Sequence, residues 1–248
     1  MFKSVLIFIL VFLAGFSQLS AQDHSRIIVH DDIQLIHLKD SVFVHVTWEN
    51  SEQYGRFPSN GLVIIKKGEA LMVDTPMDNA TTRVLTEYVE NRFNVKMVKL
   101  IIGHYHNDCM GGQEYIQSRN IESIANSMTI AKCREMGLPL PSRGFEDSLS
   151  FDFHGEKITC RYFGGGHTFD NITVWLPEQK ILFGGCLIKS INSTGLGNIA
   201  DAVVDEWDIT VQNVMHEYPS MDFVVPGHGD FGGIELLSHT VTLVQSVK

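Results

Sequence analysis

The chain has 248 residues, enough for one large domain or two small ones, and its 44% hydrophobic and 19% charged content describes a folded protein with a sizeable core. Its formal net charge is −10, from 19 basic and 29 acidic residues, with no basic run anywhere. That balance argues against nucleic acid and anionic membrane surfaces as partners.

Residues 1–21 read as a secretory signal. Lys3 gives a basic start, residues 5–16 are almost unbroken apolar sequence, and small Ala21 stands at the expected cleavage point. The apolar run is too short to be kept as a membrane span. Residues 22–248 then form the mature domain, expected in the periplasm, free of the membrane after cleavage, with monomer as the default state. Four Cys remain in it: Cys109, Cys133, Cys160 and Cys186. An even count in an exported chain suggests disulfides, yet four in so long a chain do not make a disulfide-dense scaffold. A thiol stays free in an oxidising compartment only where burial or a metal protects it.

Residues 27–75 read as all β, with short β-branched or aromatic runs at 27–29, 33–38, 42–48, 61–65 and 70–74. The stretch 49–60 is long for a hairpin connection and predicts a functional flap or a disordered tip. Residues 66–69 are a tight turn. Asp78 or Asn79 can cap a helix to Phe93 whose apolar face is Val84, Leu85, Tyr88, Val89 and Phe93. An apolar strand ends at Gly103, and Gly111-Gly112 opens a helix through Ile116. A strand at 121–124, a helix at 127–136, a break at Leu138-Pro139-Leu140-Pro141 and two hairpins, 150–163 and 172–183, follow. A helix at 206–217, a strand at 223–225 and a helix from Ile234 close the chain. Two β-rich halves that each end in helix predict two sheets face to face with helices outside, an αββα sandwich.

Four strand ends share one pattern: an apolar run, glycine, then a metal-ligand residue type. They are Gly103-His104-Tyr105-His106-Asn107-Asp108, Gly164-Gly165-Gly166-His167, Gly184-Gly185-Cys186 and Gly227-His228-Gly229. Two His one residue apart in extended chain point the same way and can share an ion. The donors His104, His106, His167, His228, Asp108 and Cys186 fill two open three-ligand sites. Imidazole and thiolate favour zinc, and three protein ligands leave a position for water. A zinc-bound Cys186 would also stay reduced. The remaining His residues, His24, His30, His37, His45, His154, His216 and His239, lack this setting and read as structural or surface groups.

These motifs, in this order over essentially the whole mature chain, resemble the metallo-β-lactamase superfamily. Cys186 in place of a bridging Asp resembles the first subclass of its class B β-lactamases. The resemblance implies two zinc ions, one on His104, His106 and His167 and the other on Asp108, Cys186 and His228. It implies that Lys189 pairs with the substrate carboxylate and that Asn198 polarises the lactam carbonyl. It likens Asp74 to an acid behind the ligand histidines, the 49–60 stretch to a substrate-closing flap with Trp48, Tyr54 and Phe57, and leaves Cys109 without a metal.

The implied reaction is hydrolysis of the amide bond of penicillins, cephalosporins and carbapenems by a zinc-bound hydroxide, giving antibiotic resistance, with Asp108 relaying the returning proton. No Ser-x-x-Lys in the mature chain suggests a serine route. Two rival readings are an exported zinc hydrolase of the same superfamily acting on an ester, lactone or thioester, and a non-catalytic zinc-binding protein. Many such hydrolases carry His where this chain has Cys109, and zinc storage needs neither Lys189 nor Asn198.

Overall fold

A computed structural model describes residues 24–52 and 55–248, so the expected signal segment and Tyr54 lie outside the described residues. Five strands lead, β1 (Arg26–His30), β2 (Ile33–Lys39), β3 (Val42–Ser51), β4 (Gly55–Lys66) and β5 (Glu69–Val73), joined as successive antiparallel pairs. Lys67 and Gly68 in the β4–β5 turn both take positive φ, 46° and 81°, the twist a two-residue hairpin needs.

Helix α1 (Asn79–Phe93) starts where its cap predicts, with the Asp78 carboxylate accepting from the Thr81 N–H. Its buried stripe is Thr82, Leu85, Thr86 and Val89. Val84, expected on that face, is exposed, because it stands about 100° around the helix from Leu85. Next come β6 (Lys96–Ile101), the short helices α2 (Asn107–Met110) and α3 (Gln113–Ser118), β7 (Glu122–Asn126), α4 (Ser127–Met136) and β8 (Arg143–Phe145). Strands β5 to β8 pair in parallel and complete an eight-stranded sheet in sequence order. Strand β8, just after the proline break, has no counterpart in the sequence reading. Its three residues are too few to display an alternating pattern.

The second sheet holds β9 (Ser148–Phe153), β10 (Glu156–Tyr162), β11 (Ile172–Leu176), β12 (Ile181–Gly185) and β13 (Phe223–Pro226), in the order β13-β12-β11-β10-β9. Helices α5 (Val204–Glu217) and α6 (Glu235–Gln245) lie outside it. Val44, Leu62, Ile64, Leu71 and Ile101 of the first sheet meet Ile158, Val174, Ile181 and Phe183 of the second in one core. A second core joins the first sheet to Leu85, Val89, Ile116 and Ile130, and a third joins Leu182 and Val224 to Trp207, Val211 and Leu237. Each fully buried large aliphatic contributes about 1.5–3 kcal/mol. The layers are αββα, as the sequence predicts.

The 49–60 stretch departs from expectation. Strand pairing runs on to Ser51↔Gly55, with Trp48 opposite Pro58 and Glu49 opposite Phe57. The paired strands continue to Ser51 and Gly55, so this is an extended β-hairpin. Glu49, Asn50 and Ser51 are poor strand formers, and cross-strand pairing overrides that local preference.

Candidate metal centre

Every ligand-type residue picked from sequence sits at one rim of the sandwich, just past a strand's carboxyl end. After β6 the chain bends through Gly103 to His106, which is extended, then enters α2, which carries Asp108 in its first turn. His167 lies between β10 and β11, Cys186 follows β12, and His228 follows β13. Among the described residues three trios have donor atoms all within 4.8 Å of one another: His104, His106 and Asp108; His104, His167 and Cys186; Asp108, Cys186 and His228. The last is the second zinc trio expected from sequence. The first expected trio meets as three rings, with centroids 4.7 Å (His104–His106), 4.9 Å (His104–His167) and 5.3 Å (His106–His167) apart.

Backbone contacts lock the loops together. Ile172 N–H donates to Gly103 C=O at 2.9 Å, and Gly227 N–H to Gly185 C=O at 2.7 Å. The Asn60 side-chain amide of β4 donates to the carbonyls of Pro226 and Gly229, at 2.9 and 2.7 Å, pinning the His228 loop to the first sheet. Gly227 is required where it stands, since a Cβ there would lie 2.4 Å from Cys186 Sγ.

Each histidine with a fixed outer partner turns its other nitrogen into the site. His228 Nδ1 lies 2.8 Å from the Pro58 carbonyl, which only accepts, so Nδ1 carries a proton. Against burial, Cys186 and Asp108 hold the ring's pKa well above its ordinary value. Without a metal, Nε2 is therefore protonated too and donates to Asp108 Oδ2 at 3.1 Å. His106 Nε2 lies 3.1 Å from Asp201 Oδ2, leaving Nδ1 against His104 Nε2 at 3.0 Å. His104 Nδ1 lies 3.0 Å from Cys109 Sγ, and the Cys109 thiol donates to Asp74 Oδ2 at 3.1 Å. With protons on these outer nitrogens, lone pairs of His104 and His106 converge at 3.0 Å. The buried Nδ1 of His167 has no hydrogen-bond partner. Convergent acceptors of this kind fit a divalent cation, and a nitrogen–thiolate–carboxylate set fits zinc.

The electrostatics agree. Burial opposes charge on Asp108, but its bond from His228 and the nearby His104 outweigh it and hold the carboxylate well below its usual range. The neighbouring Cys109 side chain outweighs burial at Cys186 and pulls that thiol down to about 5, with His228 helping. Burial pushes Cys109 well up, so it stays a thiol. Cys133 and Cys160 are buried free thiols, pushed up to about 11 and about 12 by burial.

A cleft of about 870 Å³ opens over the cluster, lined by His106, Asp108, His167 and His228 together with Phe57, Met77, Leu138, Lys189 and Asn198. Lys189 is almost buried, its ammonium 5.1 Å from the centre of the Trp207 ring, and burial lowers its pKa below the ordinary lysine value. Asn198 is exposed on the loop before α5, and its Oδ1 accepts from the Ala200 N–H at 3.1 Å. Phe57 approaches His228 edge-on at 5.8 Å, so the β3–β4 hairpin borders the cleft. Sequence reasoning missed two supports, Asp201 behind His106 and the Pro58 carbonyl behind His228. Asp201 stands three residues after Asn198 and was open to inspection; a backbone carbonyl carries no sequence signal.

No family model matches the chain. It is 44% identical over 216 residues to the metallo-beta-lactamase type 2 of Bacteroides fragilis, covering 87% of each chain. It is 37% identical over 218 residues to the metallo-beta-lactamase type 2 of Bacillus cereus, covering 86% of this chain and 83% of that one. Among solved structures it superposes on a metallo-beta-lactamase from Pontibacter korlensis with a TM-score of 0.83 at 32% identity, covering 86% of this chain and 99% of that one. It matches the DIM-1 metallo-beta-lactamase exposed to ceftazidime equally well, with a TM-score of 0.83 at 32% identity, covering 88% and 98%.

Proposed function

The chain belongs to the metallo-β-lactamase family and is an enzyme that hydrolyses the β-lactam amide bond, and we propose that it does so with two zinc ions, one held by His104, His106 and His167 and one by Asp108, Cys186 and His228. The observation that carries this assignment is the convergence of six donors on one rim, with the ring protons of His104, His106 and His228 directed outward. Zinc there supplies an activated water nucleophile at neutral pH and polarisation of the substrate carbonyl.

The chain's own groups supply the rest. The Lys189 ammonium, at the cleft wall, holds the carboxylate of the substrate through a charge-assisted bond. Asn198 directs its side-chain NH₂ to the lactam carbonyl oxygen, where negative charge develops, since its Oδ1 is engaged by Ala200. The environment of Asp108, between Cys186 and His228, relays the proton that returns to the lactam nitrogen. Phe57, Met77 and Leu138 give the cleft an apolar lining that excludes water from the amide. No side chain forms a covalent acyl intermediate.

Residues 1–21 direct export to the periplasm, and residues 22–248 work there as one monomeric domain. Among the described residues no helix is long and apolar enough to cross a membrane. Counting bound zinc by equilibrium dialysis tests the ligand assignment: wild-type protein holds two ions, and His167→Ala and His228→Ala each lose a different one. Two ions retained in either variant would contradict it.

A further inference from the structure

His45 lies in the middle of β3, in the interior of the first sheet and outside the ligand set. It is 1% exposed, and its Nε2 lies 2.9 Å from the backbone carbonyl of Asp74. Its Nδ1 has no hydrogen-bond partner, so a neutral ring with the proton on Nε2 serves the acceptors in reach, the Asp74 carbonyl and the neighbouring Val73 carbonyl. Space for the ring is built in. Gly61 is its cross-strand partner, and a Cβ at Gly61 would lie 2.1 Å from His45 Nε2 and 2.3 Å from the Val73 carbonyl.

Asp74 needs holding. It takes φ 58°, a left-handed conformation that Asp enters more readily than most residues with a Cβ but that still needs support. Its N–H donates to the Ile101 carbonyl at 2.8 Å, and its Oδ1 accepts from Gly103 N–H at 2.6 Å. Its Oδ2 accepts from the Cys109 thiol, and Cys109 Sγ meets His104 Nδ1 at 3.0 Å. Four buried groups therefore form one chain: His45, Asp74, Cys109, His104. Each residue in it is 0 to 1% exposed, so no water competes for these bonds.

We propose that His45 is a positioning residue of the metal centre, fixing the left-handed Asp74 backbone so that its carboxylate sets the orientation of His104 through Cys109 and Gly103. The proposal rests on His104 being a zinc ligand. Partners behind metal-bound His commonly change metal affinity by about 10–100-fold when lost, and His45 stands further back, so a loss of about tenfold is expected.

The test compares zinc-loaded wild type with His45→Phe, which keeps a ring without the donor, and His45→Gln, which keeps a donor. Zinc affinity is read by chelator competition, and the visible spectrum of the cobalt-substituted protein reports ligand geometry. Expected are weaker binding and an altered spectrum for H45F, with recovery toward wild type in H45Q. Wild-type affinity and spectrum in H45F would overturn the role of His45 while leaving the zinc ligands standing. Wild-type protein that binds no zinc would overturn the metal centre and this proposal together. Should H45F fail to fold, nitrogen-15 NMR of wild-type His45 decides. A neutral ring protonated at Nε2 supports the proposal, and a proton on Nδ1 overturns it.

Discussion

Asp108 Oδ2 and Cys186 Sγ lie 3.1 Å apart although 78 residues separate them in sequence. One belongs to α2, just after β6 of the first sheet, and the other follows β12 in the second. The candidate second zinc site is therefore assembled only when the two sheets pack, and the closely spaced His104, His106 and Asp108 bring both candidate zinc sites to the same rim.

Removing that thiol should separate the two sites. Cys186→Ala is expected to lose most of one zinc equivalent and most β-lactam turnover, while the ion on His104, His106 and His167 stays tightly bound. Zinc content measured beside hydrolysis rates checks this. Full activity with a single tight zinc would contradict the two-metal assignment.

Lys189 should act on binding more than on chemistry. A hydrogen bond to a charged group contributes about 1.5–3 kcal/mol, so Lys189→Met is expected to raise KM about ten- to a hundredfold with a smaller effect on kcat. Burial lowers the pKa of this lysine, so its positive charge is lost at lower pH than for an exposed lysine. KM should accordingly rise on the alkaline side in wild type, and the Met variant should lack that rise.

Asn198 should matter less than a donor in a dry oxyanion hole, where removal costs about 10²–10³ in kcat. It is exposed and shares its amide with Ala200. Asn198→Ala is expected to lower kcat about tenfold or less, read from steady-state hydrolysis of a single cephalosporin.

Acid should weaken the metal-free fold through His45. Burial lowers this ring's pKa from 6.5 to about 4, against the favourable bond to Asp74. The unfolded chain thus takes up the proton first. The contribution of the neutral ring is complete above about pH 6.5 and is lost as pH falls toward 4, on the order of 3 kcal/mol in total. Asp74, pushed up to about 8 by burial, titrates in wild type and in His45→Gln alike. Denaturant midpoints of the two proteins between pH 4 and 7 should therefore diverge toward a smaller acid loss in H45Q.

Much of the site was legible because its chemistry is local. Glycine before His104, His167, Cys186 and His228 marks four strand ends, and donor type alone points to zinc. The layers follow from the order of strands and helices. What stayed hidden depends on tertiary contact. The 49–60 hairpin pairs residue by residue although Glu49, Asn50 and Ser51 have little β preference. His45 sits among Val44 and Val46 with nothing local to separate a satisfied core histidine from a support of Asp74. Cys109, which sequence leaves without a metal, joins His104 to Asp74.

The central claim is that six converging side chains hold the zinc with which this chain opens β-lactams. Titrating metal-free protein with zinc while following hydrolysis of a chromogenic cephalosporin tests it directly. The account predicts no turnover without metal, turnover that grows with added zinc until two equivalents are bound, and its loss on adding chelator. Turnover by the metal-free protein, or none by the zinc-loaded one, would contradict it.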